Sequence, residues 1–393
     1  MKKLLVIWIC LCGIGTFQVS ACSMYKLTKN GKTIVGNNED WTSPNGQFWF
    51  EAGSKDSFGV MYMGFLNNFT QGAINQAGLV FDGFWEPYLE VKNTEGKTNL
   101  PIGKALSHVM KTMTNVEEVQ AYLQTINLSI LDNGQLVFVD QKGSYLIIEG
   151  DEMFLGNENE KSFSNFYYSQ IDSIEQVDLQ YFQKGQSYIN ETEMECSLNY
   201  CSKAMSEYSQ SNFAPTQYTT VYDLKTLTVR IYLFHDYSQY VEINLNEKLK
   251  EGNQRIMIAE LFPKNSKGYI FYKKYNNPEH PTQLMEEFLE GKDVTEQDLL
   301  DSDYDNVING LGYEWLYDIK NAEGAIKVFK YGVKLMPNSA NLYDSLGESY
   351  YVNKDYQEAL ENYSKSLTLN PDNENAKAMM VKIKDIQKMN ATN

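Results

Sequence analysis

The chain has 393 residues, 42% of them hydrophobic, with 51 acidic against 34 basic side chains and a formal charge of −17. That length supports two or three domains and a sizeable core, and the acidic balance repels phosphate backbones and excludes nucleic acid as a partner. Five cysteines and three histidines give neither a disulfide framework nor a metal-ligand spacing, and no glycine-rich phosphate loop occurs, so neither metal nor cofactor is expected.

Residues 1–21 read as a signal peptide. Lys2 and Lys3 supply the positive start, Leu4 to Ile14 the apolar stretch, and Val19-Ser20-Ala21 the small residues of a cleavage site. Cutting after Ala21 leaves Cys22 with a free α-amine and a thiol. An α-amine titrates at roughly 7.7–8.0, so nucleophile and base come in one residue. Val19 to Cys22 also resembles a lipobox, in which the same sulfur carries lipid and the amine is acylated. The two readings give a secreted or periplasmic protein, or an outer-surface lipoprotein anchored at Cys22. Cleavage removes two lysines and no acid, leaving 32 basic against 51 acidic side chains. No later apolar run approaches the ~20 residues of a membrane span.

Two strand-like runs, Cys22 to Lys29 and Lys32 to Glu39, flank Asn30-Gly31, a strong hairpin signal. A two-residue loop sets Cys22 opposite Glu39; a three-residue loop with Gly31 in a bulge shifts the partner to Asn38. Either way Glu39 and Asp40 return beside Cys22, to hold the ammonium or orient the thiol, and geometry does not choose between them. Further strands are expected over Phe58 to Phe65, Leu79 to Phe84, Leu136 to Asp140, Ser144 to Ile148, Tyr218 to Tyr222 and Leu227 to Phe234. Pro101 to Met113 reads as a helix with proline in its first turn, and Thr114 or Asn115 caps another from Val116 to Thr125. Cys196 and Cys201 read as a bridge formed on export or as two free thiols.

Cys22 followed by Gly36-Asn37-Asn38-Glu39-Asp40-Trp41 resembles the choloylglycine hydrolase and penicillin V acylase family of cysteine N-terminal-nucleophile hydrolases. Three later stretches fit in the same order. They are Asn75-Gln76-Ala77-Gly78-Leu79, Ser164-Asn165-Phe166, and Thr219 to Asp223, the last similar to the acyltransferase-like branch. The resemblance covers about residues 22 to 262. It implies an α+β fold, a four-layer α-β-β-α sandwich, and hydrolysis of linear carbon–nitrogen amide bonds through a thioester acyl-enzyme. It implies Cys22 as nucleophile, Asp40 orienting its amine and thiol, and Asn165 donating to the oxyanion. The second oxyanion donor falls near Trp85, whose backbone amide would serve. Asn75 reads instead as a turn residue holding the backbone. Two departures stand out: asparagines, Asn37 and Asn199, occupy positions where the family carries arginines. A guanidinium favours thiolate and pairs with a substrate carboxylate, and an asparagine only hydrogen-bonds.

Beyond about residue 283 the pattern turns helical and repeats. Ala325, Phe329 and Pro337 recur 34 residues on as Ala359, Tyr363 and Pro371, and Leu311-Gly312 recurs, offset by one residue, as Leu346-Gly347. The period resembles tetratricopeptide repeats, with Glu374 to Met389 as a closing helix. Two repeats fall short of the roughly three that stand alone, so helices near Thr282 to Leu300, or docking onto the first domain, must supply packing.

The sequence therefore reads as a signal peptide (1–21), an amide hydrolase domain (22–262), a linker with helix (263–305), and an all-α repeat segment (306–393). The expected partners are a small-molecule N-acyl amide substrate and a protein bound by the repeats. The alternatives are acyl transfer from the same site, and a non-catalytic lipoprotein with a binding tail.

Overall fold

The computed structural model describes residues 22–392 apart from 67, 68, 132, 133, 212, 213, 302 and 303, so the expected signal peptide lies outside the described residues. Strands β1 (Ser23–Lys29) and β2 (Lys32–Asp40) form the expected hairpin, with Lys29 opposite Lys32 and Ser23 opposite Asn38. Asn30 and Gly31 both have positive φ, 55° and 70°, the backbone that a tight two-residue turn requires. The two-residue loop is thus the one formed.

The remaining strands are β3 (Gln47–Glu51), β4 (Val60–Gly64), β5 (Thr70–Asn75), β6 (Val80–Phe84), β7 (Gln135–Val139), β8 (Tyr145–Glu149) and β9 (Glu152–Gly156). After them come β10 (Glu160–Ser164), β11 (Thr216–Asp223), β12 (Thr228–Leu233), β13 (Val241–Asn244) and β14 (Gln254–Met257). They build two antiparallel sheets, ordered β10-β1-β2-β11-β12-β13 and β14-β3-β4-β5-β6-β7-β8-β9. Alternation along the strands sends one face of each sheet inward. Met24, Val35, Tyr222 and Ile231 of the first sheet meet Phe48, Met61, Ile74 and Val137 of the second in one buried cluster.

Helices cover both outer faces. On the eight-stranded sheet lie α1 (Ile102–Thr112) and α2 (Val116–Leu123), the latter capped by Asn115, which accepts from Glu118 N at 2.9 Å. On the six-stranded sheet lie α3 (Gln180–Glu191) and α4 (Leu198–Tyr208), burying Phe182, Tyr200, Ala204, Met205 and Tyr208 against Tyr25, Ile34 and Val221. Four layers result, α-β-β-α. The sequence reading expected α1 and α2 but not α3 and α4. Yet Tyr200, Cys201, Ala204, Met205 and Tyr208 lie along one helical face, a spacing that carries the signal. Cys196 and Cys201 are both free thiols.

A short α5 (Leu245–Leu249) precedes β14, and α6 (Lys267–Tyr275) lays Tyr269 and Tyr272 on the inter-sheet cluster. Then follow α7 (Gln283–Leu289), α8 (Glu296–Asp301), α9 (Tyr304–Tyr313) with a π-helical turn over Glu314–Asp318, α10 (Ala322–Leu335), α11 (Ala340–Val352), α12 (Tyr356–Leu369) and α13 (Glu374–Thr392). Paired helices close tightly where glycine sits: Phe329 packs on Gly312 and Tyr363 on Gly347. Met285 and Leu299 join the repeat core, and Glu314 accepts from Ser43 Oγ at 2.6 Å in the first domain. Both sources of packing that two repeats lacked are therefore present.

Candidate active site

The hairpin sets the site. Cys22 and Met24 share the inward face of β1, and Asn37 and Glu39 follow Val35 inward on β2. Ser23 stands opposite Asn38, and beyond this pair the Cys22 thiol donates to Glu39 Oε2 at 3.5 Å. Asn37 Nδ2 donates to the other oxygen, Oε1, at 2.9 Å. On the far side of β1, Ser23 pairs with Ser164, the residue before Asn165. Ser164 Oγ donates to the Cys22 carbonyl at 2.7 Å, tying the strand end down. Cys22 lines a pocket of about 320 Å³, whose walls include Trp41, Phe65, Phe84, Trp85, Leu106 and Leu136. Among the described residues that line it, none is basic.

Three carboxyls surround the thiol. Asp40 accepts from Gln210 Nε2 at 2.8 Å and from Thr216, its partner on β11. Asp82 faces inward from β6 between Val80 and Phe84, accepts from Gly83 N at 2.9 Å, and meets Glu39 directly. Burial raises all three acids above the ordinary carboxyl range. Burial also pushes the Cys22 thiol up, and the negative potential of Glu39, Asp40 and Asp82 adds to this, while the Asp40 backbone amide opposes it. The resting sulfur is therefore a thiol, and attack requires a base.

Of the residues expected at the site, Cys22, Asp40 and Trp85 line the pocket, Asn37 buttresses Glu39, and Asn165 follows Ser164, which holds the Cys22 carbonyl. Asn165 Nδ2 donates to the Trp85 carbonyl at 2.6 Å, linking the two expected oxyanion donors. Asn199 is not brought to them. It lies near the start of α4 in the outer helical layer, exposed, and its Oδ1 accepts from Arg230 Nη1 at 2.8 Å. Asn75 does what a turn residue does: Oδ1 accepts from Ala77 N and Leu79 N, both at 3.0 Å. The sequence reading missed Asp82, Gln210 and Tyr218. An acid inside the apolar strand Val80 to Phe84 was a legible signal for the first; the other two gave none.

The tetratricopeptide repeat family matches residues 342–373. No curated protein sequence matches the chain. Among solved structures, the chain is similar to a variant of conjugated bile acid hydrolase from Clostridium perfringens (TM-score 0.47, 17% identity, covering 60% of this chain and 96% of that one). It is also similar to penicillin V acylase from Agrobacterium tumefaciens (TM-score 0.45, 15% identity, 60% and 91% covered). A third is the Caenorhabditis elegans ortholog of N-acylethanolamine-hydrolyzing acid amidase (TM-score 0.36, 12% identity, 52% and 92% covered). Among the described residues no helix is long and apolar enough to cross a membrane.

Proposed function

We propose that the chain hydrolyses linear N-acyl amides through Cys22, with the acyl group seated in the apolar pocket. The observation that carries this reading is the placement of Cys22: it is buried and lines an aromatic-walled pocket together with Glu39 and Asp40, with its thiol on Glu39. The sulfur would attack the amide carbonyl, Asn165 and the Trp85 amide would receive the oxyanion, and water would release the thioester. Freed by cleavage after Ala21, the α-amine is a base for the thiol proton. A lining without cations supports a neutral acyl amide over one bearing a carboxylate near the reacting bond.

The lipoprotein reading is less well supported. Cys22 is 5% exposed and belongs to the inter-sheet cluster, so a thioether-linked lipid there would have to thread the pocket.

The test is acylation. A mature protein starting at Cys22, treated with p-nitrophenyl acetate, should gain one acetyl group at Cys22, and Cys22→Ala should gain none there. Full turnover of an N-acyl p-nitroanilide by Cys22→Ala would overturn the assignment.

A further inference from the structure

The thiol of Cys22 already has a hydrogen-bond acceptor, and it is a carboxyl that no step above uses. Glu39 Oε2 lies 3.5 Å from the sulfur, and Glu39 Oε1 is held by Asn37 at 2.9 Å. The side chain is therefore fixed at both oxygens. Its remaining neighbour is a second acid, Asp82, which belongs to the opposite sheet. Glu39 and Asp82 are each 1% exposed. The Asn37 side chain also hydrogen-bonds to Asp82, while Asp82 Oδ2 is buried and has no hydrogen-bond partner among the described residues. A single proton between the two carboxyls satisfies that oxygen, and two buried like charges cannot both persist without a counter-ion. The groups acting on the pair are Cys22, just before β1, Asn37 and Asp40 from Glu39's own strand, and Tyr218 and Tyr222 from β11. None of them is a cation. The Tyr218 hydroxyl is buried and has no partner of its own.

We propose that Glu39 is a catalytic residue and the first acceptor of the Cys22 proton, with Asp82 as the positioning residue that shares Glu39's proton across the two sheets. This rests on the reading of Cys22 as the nucleophile and assigns to Glu39 the proton transfer given above to the α-amine. The pair starts with one proton and one negative charge. As the S–H bond breaks, its proton passes to Glu39, and the sulfur's electron pair forms the bond to the carbonyl carbon. Collapse of the tetrahedral intermediate then breaks the C–N bond. The pair returns a proton to the departing nitrogen and ends as it began. Holding one charge instead of two also limits the repulsion that the attacking sulfur meets.

The experiment measures the acylation rate of the mature protein by p-nitrophenyl acetate across pH, in wild type, Glu39→Gln and Asp82→Asn. Wild type should show a rate that falls on acidification, as the pair takes its second proton and loses its acceptor. Glu39→Gln should lower the plateau about 10²-fold or more, the scale of a lost general base, and abolish this acid limb. Asp82→Asn removes a like charge and leaves an amide donor, so Glu39 ionises more readily and the limb moves to lower pH. A merely structural role for Asp82 would lower the rate without moving the limb. An acid limb unmoved in both variants would leave the α-amine as sole acceptor and overturn the proposal, while the nucleophile reading stands. Failure of wild type to acylate at Cys22 overturns both. If Glu39→Gln does not fold, as judged by circular dichroism, the shift in Asp82→Asn decides alone.

Discussion

Glu314, in the repeat segment, accepts a hydrogen bond from Asn45 Nδ2 at 2.7 Å, and the pair joins the tail to the loop that leaves the catalytic strand β2. The same loop presents Trp41 to the pocket, and Gly310 of α9 lies against the Trp41 ring. One wall of the pocket beside Cys22 is therefore backed by the repeats.

This junction should depend on pH. Burial pushes the Glu314 carboxyl up to about 7, opposed by the hydrogen bonds from Ser43 and Asn45, with Asp318 adding to the rise. A folded-state value above the unfolded one makes its contribution full below the unfolded pKa and lost as pH climbs through about 7. The loss is on the order of 3 kcal/mol. Thermal melts should weaken from about pH 5 to pH 8 in wild type, and Glu314→Gln should flatten that slope. A slope unchanged in the variant would place the dependence elsewhere.

Deleting the tail should disturb the site without touching Cys22. A fragment ending after α6 loses the backing of Trp41, and KM should rise more than kcat falls for a bulky acyl substrate. Limited proteolysis between Phe262 and Asp305 gives such fragments, and steady-state kinetics on them is the check. Equal kinetics with and without the tail would show that the contact is passive.

Asn165→Ala should reduce turnover by about 10²–10³ if it donates to the oxyanion. Because Asn165 also holds the Trp85 carbonyl, a melt must accompany the kinetics. Asp40→Asn should slow turnover more than it lowers stability, since Gln210 and Thr216 still hold the side chain.

Repeat packing should be costly to remove. Phe329 and Tyr363 are fully buried against Gly312 and Gly347. Phe329→Ala should destabilise the repeat segment by roughly 3–5 kcal/mol, read by denaturant melts of the full chain. A loss below about 1 kcal/mol would mean the cavity collapses freely.

The mature N-terminus is the remaining measurement. Mass analysis of the exported protein should find residues 1–21 removed and Cys22 unmodified. A lipid-sized addition at Cys22 would end the thiol mechanism, because the sulfur would no longer be free.

What could be read from sequence was local. Asn30-Gly31 located the turn, and counting outward left Glu39 or Asn38 as the partner of Cys22; the observed register, with Ser23 opposite Asn38, belongs to the two-residue loop. The 34-residue period located the repeat helices. What could not be read depends on chain closure. Gln210 reaches Asp40 from the loop after α4, Asp82 reaches Glu39 from the other sheet, and Glu314 reaches Asn45 across 269 positions. No periodicity encodes such pairings. The helices α3 and α4 were legible in their apolar spacing, but polar residues such as Gln180, Lys184 and Asn199 obscured it.

Asn75 has a reach beyond its own turn. Its Nδ2 donates to the carbonyls of Met110 and Met113 at 3.0 and 2.9 Å, at the end of α1, and Ile102 and Leu106 of that helix line the pocket. One side chain thus works as a tie rod between a sheet corner and a cavity wall. An altered residue at position 75 would retune which acyl groups fit from outside the pocket, so variation in substrate choice need not leave its mark on any residue the substrate touches.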